Sequence, residues 1–309
     1  MNKIQQHCYT RAKQGLFRKS EGYDTVARSA GLDESFITTR LHPFCYYHPS
    51  RIMQAKRVPA EEFPRMLTVV HFPENLLMIG QTVYVEQDFT GQRTTFFTHN
   101  FLVPRHNDFC PSLLARIPFL TSTEWDELPE LDSLPVLDLN NREKPGPLPF
   151  DDARMYQLIC ALLDAVTGTK KVYVILPGLD WVLPVLMWLF ERLPKEAAQT
   201  LSFTTYSREP ENKKFLHLTF LDRGSILPGD SRVEHDYVFN FDENYFCPVN
   251  MPQISEEELR EKIGNFSLPS DQVYEEEEEE KALAPKSPQK DKAKSKELKA
   301  FVARLLKRK

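Results

Sequence analysis

The order of apolar periods along the chain predicts a mixed α+β protein. An antiparallel β-rich amino-terminal module is followed by a helix-strand-helix module on a mixed sheet, then by a disordered charged tail with a terminal helix. Three observations carry this. β-Branched and aromatic runs between residues 66 and 103 are separated only by short turns, helical spacing begins after Asp151, and charge segregates beyond residue 250.

Residues 4–10 read as a short strand, followed by turn-rich sequence through Gly15, Gly22 and Gly31 with a second strand at 25–28. Residues 41–64 are aromatic and proline-studded and read as mostly irregular. Runs at 66–72, 77–86 and 94–103, joined by short Pro- and Gly-containing turns, predict an antiparallel meander. Proline then recurs from Pro104 to Pro149, which removes backbone donors and marks a junction between modules. Asp151 is a helix N-cap candidate, and Met155, Leu158, Ile159, Leu162, Leu163 and Val166 form the apolar stripe of the helix that Gly168 ends. A strand at 171–176, a helix from Asp180 through Leu193 and strands at 201–207, 214–221 and 236–241 complete the second module. The division is 1–115, a junction at 116–150, an α/β module at 151–250, a linker at 251–294 and a terminal helix at 295–309.

Length and composition exclude several classes. A chain of 309 residues, 41% hydrophobic, can bury a core without disulfide staples. Cys8, Cys45, Cys110, Cys160 and Cys247 are scattered and never spaced as CxxC, which favours a reducing, cytoplasmic setting over a secreted framework or zinc ribbon. The amino terminus is too polar for an export signal. The strongest apolar run, residues 181–190, contains Pro184 and is shorter than the roughly 20 residues a spanning helix needs.

Residues 281–309 carry eleven Lys and Arg against Asp291 and Glu297, a net +9, whereas residues 251–280 carry net −9 and the body before them −5. The acidic body argues against nucleic-acid binding. The linker has too little apolar surface to offset the entropy of ordering and is expected to be disordered. In the terminal segment Leu298, Phe301, Val302, Leu305 and Leu306 form one helical stripe, with Lys299, Arg304, Lys307 and Arg308 around it. This partner-binding candidate has three readings: docking into a second protein, adsorption to an anionic membrane, and loose nucleic-acid attraction. The stripe favours the first two, and pairing with the glutamates at 275–280 is a further alternative.

No motif supplies catalytic, cofactor or metal chemistry. Residues 167–171 echo a phosphate loop but lack its first glycine and follow a helix instead of a strand. His42, Cys45 and His48, with His7 and Cys8, have loose metal-ligand spacing inside an aromatic, proline-rich loop. Cys8 with His7, or Ser225 with Asp222 and His235, lack any nucleophile signature. Arg11, Lys13, Arg18 and Lys19 form a basic patch that Glu21, Asp24 and Glu34 can neutralise. Trp181, Trp188 and Phe190 read as core. The chain is therefore expected not to be an enzyme. The competing readings are a hydrolase or nucleotide-processing site in the amino-terminal module and recruitment to a membrane surface by the terminal helix.

The ordered set Gln6-His-Cys-Tyr-Thr10, Gly15-Leu16, Gly22-Tyr23, Val26-Ala-Arg-Ser29 and Gly31-Leu32 resembles the opening of bacterial GTPase-associated proteins, N-terminal domain type two. Leu201-Ser-Phe-Thr-Thr-Tyr-Ser207 is similar to a strand region of the same proteins. The resemblance covers the first 240 residues or so. It implies an adaptor or scaffold associated with a separate GTPase in a conflict or defence system, and it supplies no catalytic residues.

Overall fold

The computed structural model describes residues 3–104, 109–124, 126–136, 147–243, 245–246 and 255–268. The amino-terminal half is an antiparallel sheet of β1 (Gln5–Ala12), β2 (Gly22–Arg28), β3 (Met66–Phe72), β4 (Leu76–Val85) and β5 (Thr95–Pro104). β3, β4 and β5 form the expected meander, and β1 inserts between β5 and β2. The turn between β3 and β4 places Asn75 at φ 60°, a left-handed position that asparagine tolerates.

Residues 15–18 fold back over β2, and the Asp24 carboxylate accepts the backbone N–H groups of Phe17 (2.9 Å) and Arg18 (2.7 Å). A Cβ on Gly15 would lie 2.2 Å from that carboxylate. Gly15→Ala should therefore displace Asp24 and cost about 1–3 kcal/mol, read as a lower urea midpoint. The same segment blunts the sheet edge, since Leu16 N–H donates to the Thr25 carbonyl and residues 126–128 bond Arg28 on both its backbone groups.

The segment expected to be irregular is instead largely helical. α1 (Glu34–Phe36) runs through a π turn (Ile37–Leu41) into α2 (His42–Cys45), and α3 (Arg51–Lys56) follows. Isolated helices this short are not stable in water, so tertiary burial of Ile37, Leu41, Phe44 and Cys45 must hold the first two. Pro43 is tolerated because it stands at the start of α2, where its missing N–H is no loss. Ser50 caps α3 by accepting Met53 N–H.

The second half contains α4 (Asp152–Thr167), β6 (Val172–Ile175), α5 (Val182–Arg192), α6 (Lys195–Thr200), β7 (Phe203–Ser207), β8 (Leu218–Leu221), β9 (Tyr237–Asn240) and β10 (Tyr245–Phe246). β8 starts four residues later than its alternating pattern suggests because Phe215, at φ 68°, breaks the extended backbone. Asp180 does not cap α5; it lies in a 3-10 turn, and Trp181 takes the N-cap position.

β7, β8, β6 and β9 are mutually parallel, and β7 also pairs antiparallel with β3. Both halves therefore share one ten-stranded sheet, ordered β10-β9-β6-β8-β7-β3-β4-β5-β1-β2. Its helical face packs α4 and α5 on Val69, Ile79, Phe101, Val174, Phe203, Phe220 and Phe239. Trp181, Trp188 and Phe190 pack against that core. The opposite face carries Met78, Leu102, Tyr9, Tyr206, Tyr173 and Val238 under residues from 32–47 and 215–233.

α7 (Glu256–Gly264) corrects the expectation that the linker begins at residue 251. Ser255 and Glu258 form a capping box, Leu259 is buried, and Lys262 Nζ meets Asp164 Oδ1 of α4 at 2.8 Å. The expected linker beyond residue 268 and the whole terminal stripe, Leu298 to Arg308, lie outside the described residues.

Candidate functional site

The sequence pointed to histidines and cysteines of the amino-terminal module, and the fold brings three of them together. Asn100, fully buried on β5, donates through Nδ2 to His7 Nδ1 (3.0 Å) and toward Cys45 Sγ (3.4 Å). With Nδ1 accepting, His7 carries its proton on Nε2 and donates to Thr25 Oγ1 (2.9 Å), whose hydroxyl in turn donates to His42 Nε2 (2.9 Å). Gly80 stands opposite Asn100 on β4, and a Cβ there would lie 2.5 Å from Asn100 Oδ1. Small residue, amide and imidazoles thus form one polar row beneath α2.

This row does not present a nucleophile. Burial pushes the Cys45 thiol up to about 12, and its hydrogen goes to the Leu41 carbonyl (3.2 Å). Cys8 points through the pleat to the other face, among Ala27, Val83, Phe97 and Leu128. His48 is exposed. No group of three or more His, Cys, Asp or Glu among the described residues could hold a metal ion. The Ser225 hydroxyl donates to the Asp222 main-chain carbonyl (2.6 Å), while His235 is exposed beside Glu234. Arg11 of the basic patch is paired with Glu21 and Asp88.

Burial holds the His7 imidazole well below its ordinary value, the neighbouring His42 adding to the effect; burial alone lowers His99 to about 4 and, with Lys171, lowers His217 to about 3. The unfolded chain binds these protons more readily, so stability is complete above the free-imidazole value of 6.5 and is lost as pH falls from there toward 4. His99 alone should withdraw roughly 2 kcal/mol between about pH 7.5 and pH 5. Urea midpoints at the two pH values should differ accordingly, and less so in His99→Gln.

A second site was not foreseen. The carboxyl ends of parallel strands in an open sheet are where such folds place ligands and partners. Here the segments leaving β7 and β8 meet α3 around an open cleft of about 420 Å³. α3 contributes Arg51, 73% exposed, and Ile52, 50% exposed. Arg208 and Glu209 follow β7, and Asp222 and Arg223 follow β8. The turn beyond β8, with Gly224 at φ 70° and Gly229 at φ 80°, projects Leu227, which is 69% exposed.

Ion pairs hold the walls. Arg232 Nη2 donates to Asp230 (2.6 Å) and to the Ser225 carbonyl (3.1 Å), and its guanidinium keeps the Asp230 carboxyl below its usual range. Glu209 faces Arg51, Arg208 (3.5 Å) and Arg232 (3.3 Å), so one carboxylate joins the amino-terminal half to the α/β half. Arginine is enriched at protein interfaces, and in this cleft it stands around exposed Ile52 and Leu227. No helix among the described residues is long and apolar enough to cross a membrane.

Fold and cleft together define a mixed α+β protein in which two modules share one sheet and jointly build a concave, mixed polar and apolar surface. The chain belongs to the GTPase-associated protein 1 family: the model of that family's N-terminal domain type 2 matches residues 3–138, and the model of its middle domain matches residues 143–243. No curated protein matches the chain. The cleft takes Arg51 and Ile52 from the first domain and the remaining residues from the second. Three of the residues that carried the resemblance have structural work: Gln6 N–H donates to Ser29 Oγ (2.9 Å), Gln6 Nε2 donates to the Pro129 carbonyl (2.6 Å), and His7 donates to Thr25 Oγ1 (2.9 Å).

Proposed function

We propose that the chain is a non-catalytic adaptor for a separate GTPase of a bacterial conflict or defence system, and that the two-domain cleft is its docking face. The family description names the association with a GTPase. The observation that carries the location is the pairing of exposed Ile52 and Leu227 with arginines from both domains. Apolar side chains this exposed, ringed by guanidiniums, gain most when a partner covers them. His7, His42 and Cys45 are committed to internal hydrogen bonds and Cys8 lies in an apolar cluster, which leaves the competing hydrolase reading without an activated nucleophile among them.

Gentle purification of the tagged full chain from its native cells tests this. A protein that binds guanine nucleotide should co-purify, and Ile52→Asp combined with Leu227→Asp should release it. Recovery of the chain without such a partner, or with one that the double variant still holds, would refute the proposal. The tail stripe, Leu298, Phe301, Val302, Leu305 and Leu306 with its basic flank, is proposed as a second, independent contact to another protein. The membrane alternative predicts co-sedimentation of the full chain with anionic vesicles at low salt, lost on removing residues 295–309.

A further inference from the structure

We infer that Glu209 is the resting occupant of a carboxylate site formed by Arg51, Arg208 and Arg232, and that an acidic side chain of the docking partner takes its place. This rests on the docking reading above and adds the chemistry of the contact. Glu209 Oε1 faces the Arg51 and Arg208 guanidiniums, and Oε2 faces Arg232 at 3.3 Å. Three guanidiniums carry far more N–H donors than one carboxylate has lone pairs. Arg232 is fixed by Asp230 and the Ser225 carbonyl, so it forms a preset wall. Arg208 Nε is buried and meets Glu209 Oε1 only at 3.5 Å, without a hydrogen bond, and the Arg51 side chain is largely in solvent. Glu209 is itself 36% exposed, which leaves it room to swing out.

The charge balance selects the ligand. With Glu209 in place, four arginines meet Glu209, Asp222, Asp230 and Asp242, the last paired with Arg223 at 2.8 Å. Once Glu209 turns to solvent the cleft is one charge positive, and a single incoming carboxylate restores neutrality. A free polyphosphate, carrying several negative charges, would meet Asp222 and Asp230 as repulsive neighbours. Ile52 and Leu227 flank the arginines, so the complementary segment carries aliphatic side chains beside its carboxylate.

Fluorescence anisotropy of a labelled peptide of alternating leucine and glutamate, titrated with the full chain, provides the test. Glu209→Gln removes the internal competitor while keeping its size and should tighten binding by about tenfold, the equivalent of about 1.4 kcal/mol. Arg51→Glu, at an exposed position whose thermal midpoint should not move, should weaken it by at least about tenfold. Pyrophosphate should compete poorly. Unchanged or weaker binding by Glu209→Gln, or displacement of the peptide by pyrophosphate at lower concentration than by glutamate-containing peptide, overturns the assignment. If Glu209→Gln has no effect while Ile52→Asp with Leu227→Asp still releases the GTPase, the docking face stands and the carboxylate exchange falls.

Discussion

Asn100→Asp should destabilise the protein by about 3–5 kcal/mol, the cost of leaving a buried charge without compensation. Asn100 is fully buried, and its Nδ2 serves both His7 and Cys45. A carboxylate there offers an acceptor to two acceptors, in a site where burial already disfavours a charged His7. Either the new carboxyl takes up a proton against the pull of solvent or His7 does, and both routes draw on folding free energy. Asn100→Ala removes the same donor without adding charge and should cost less, about 2–3 kcal/mol. Urea unfolding of both variants at neutral pH checks the order. A loss below about 1 kcal/mol for Asn100→Asp would mean that the row beneath α2 is not a sealed polar network.

The second large effect concerns binding. Ile52→Asp with Leu227→Asp should weaken partner association by about 100-fold or more, because buried hot-spot truncations commonly cost 2 kcal/mol or more each. Both side chains are exposed in the free chain, so the thermal midpoint should hardly change. Leu16 and Phe89 are also exposed and apolar but lie outside the cleft lining. Leu16→Asp and Phe89→Asp should leave association unchanged. An equal loss from either control would move the docking face elsewhere.

The parts of this architecture legible in the sequence are those set by local periodicity. The meander follows from alternating runs and short turns between Met66 and Pro104, and α4 from a three-and-four stripe whose Leu158, Ile159, Leu162 and Val166 are all buried. The α1–α2 segment was not legible, because Pro43 argues against helix and only the burial of Ile37, Leu41 and Phe44 overrides it. α7 did leave a signal, Ser255 with Glu258 ahead of Leu259 and Ile263, obscured by the acidic composition around it. The continuity of the sheet across the proline-rich junction depends on β3 meeting β7, a pairing no local pattern encodes.

The cleft was illegible for the same reason. Arg51 and Glu209 are 158 residues apart, and only the fold makes them neighbours. Of the His and Cys residues with possible chemistry, His7, His42 and Cys45 are instead absorbed by the hydrogen bonds that hold α2 on the sheet.

The most direct test of the account is a photo-crosslinking amino acid placed at position 227 of the full chain in native cells, with position 89 as control. Position 227 should capture a protein that binds guanine nucleotide after purification, and position 89 should not. Capture of that protein from position 89 alone, or capture from position 227 of a protein without guanine-nucleotide binding, would contradict it.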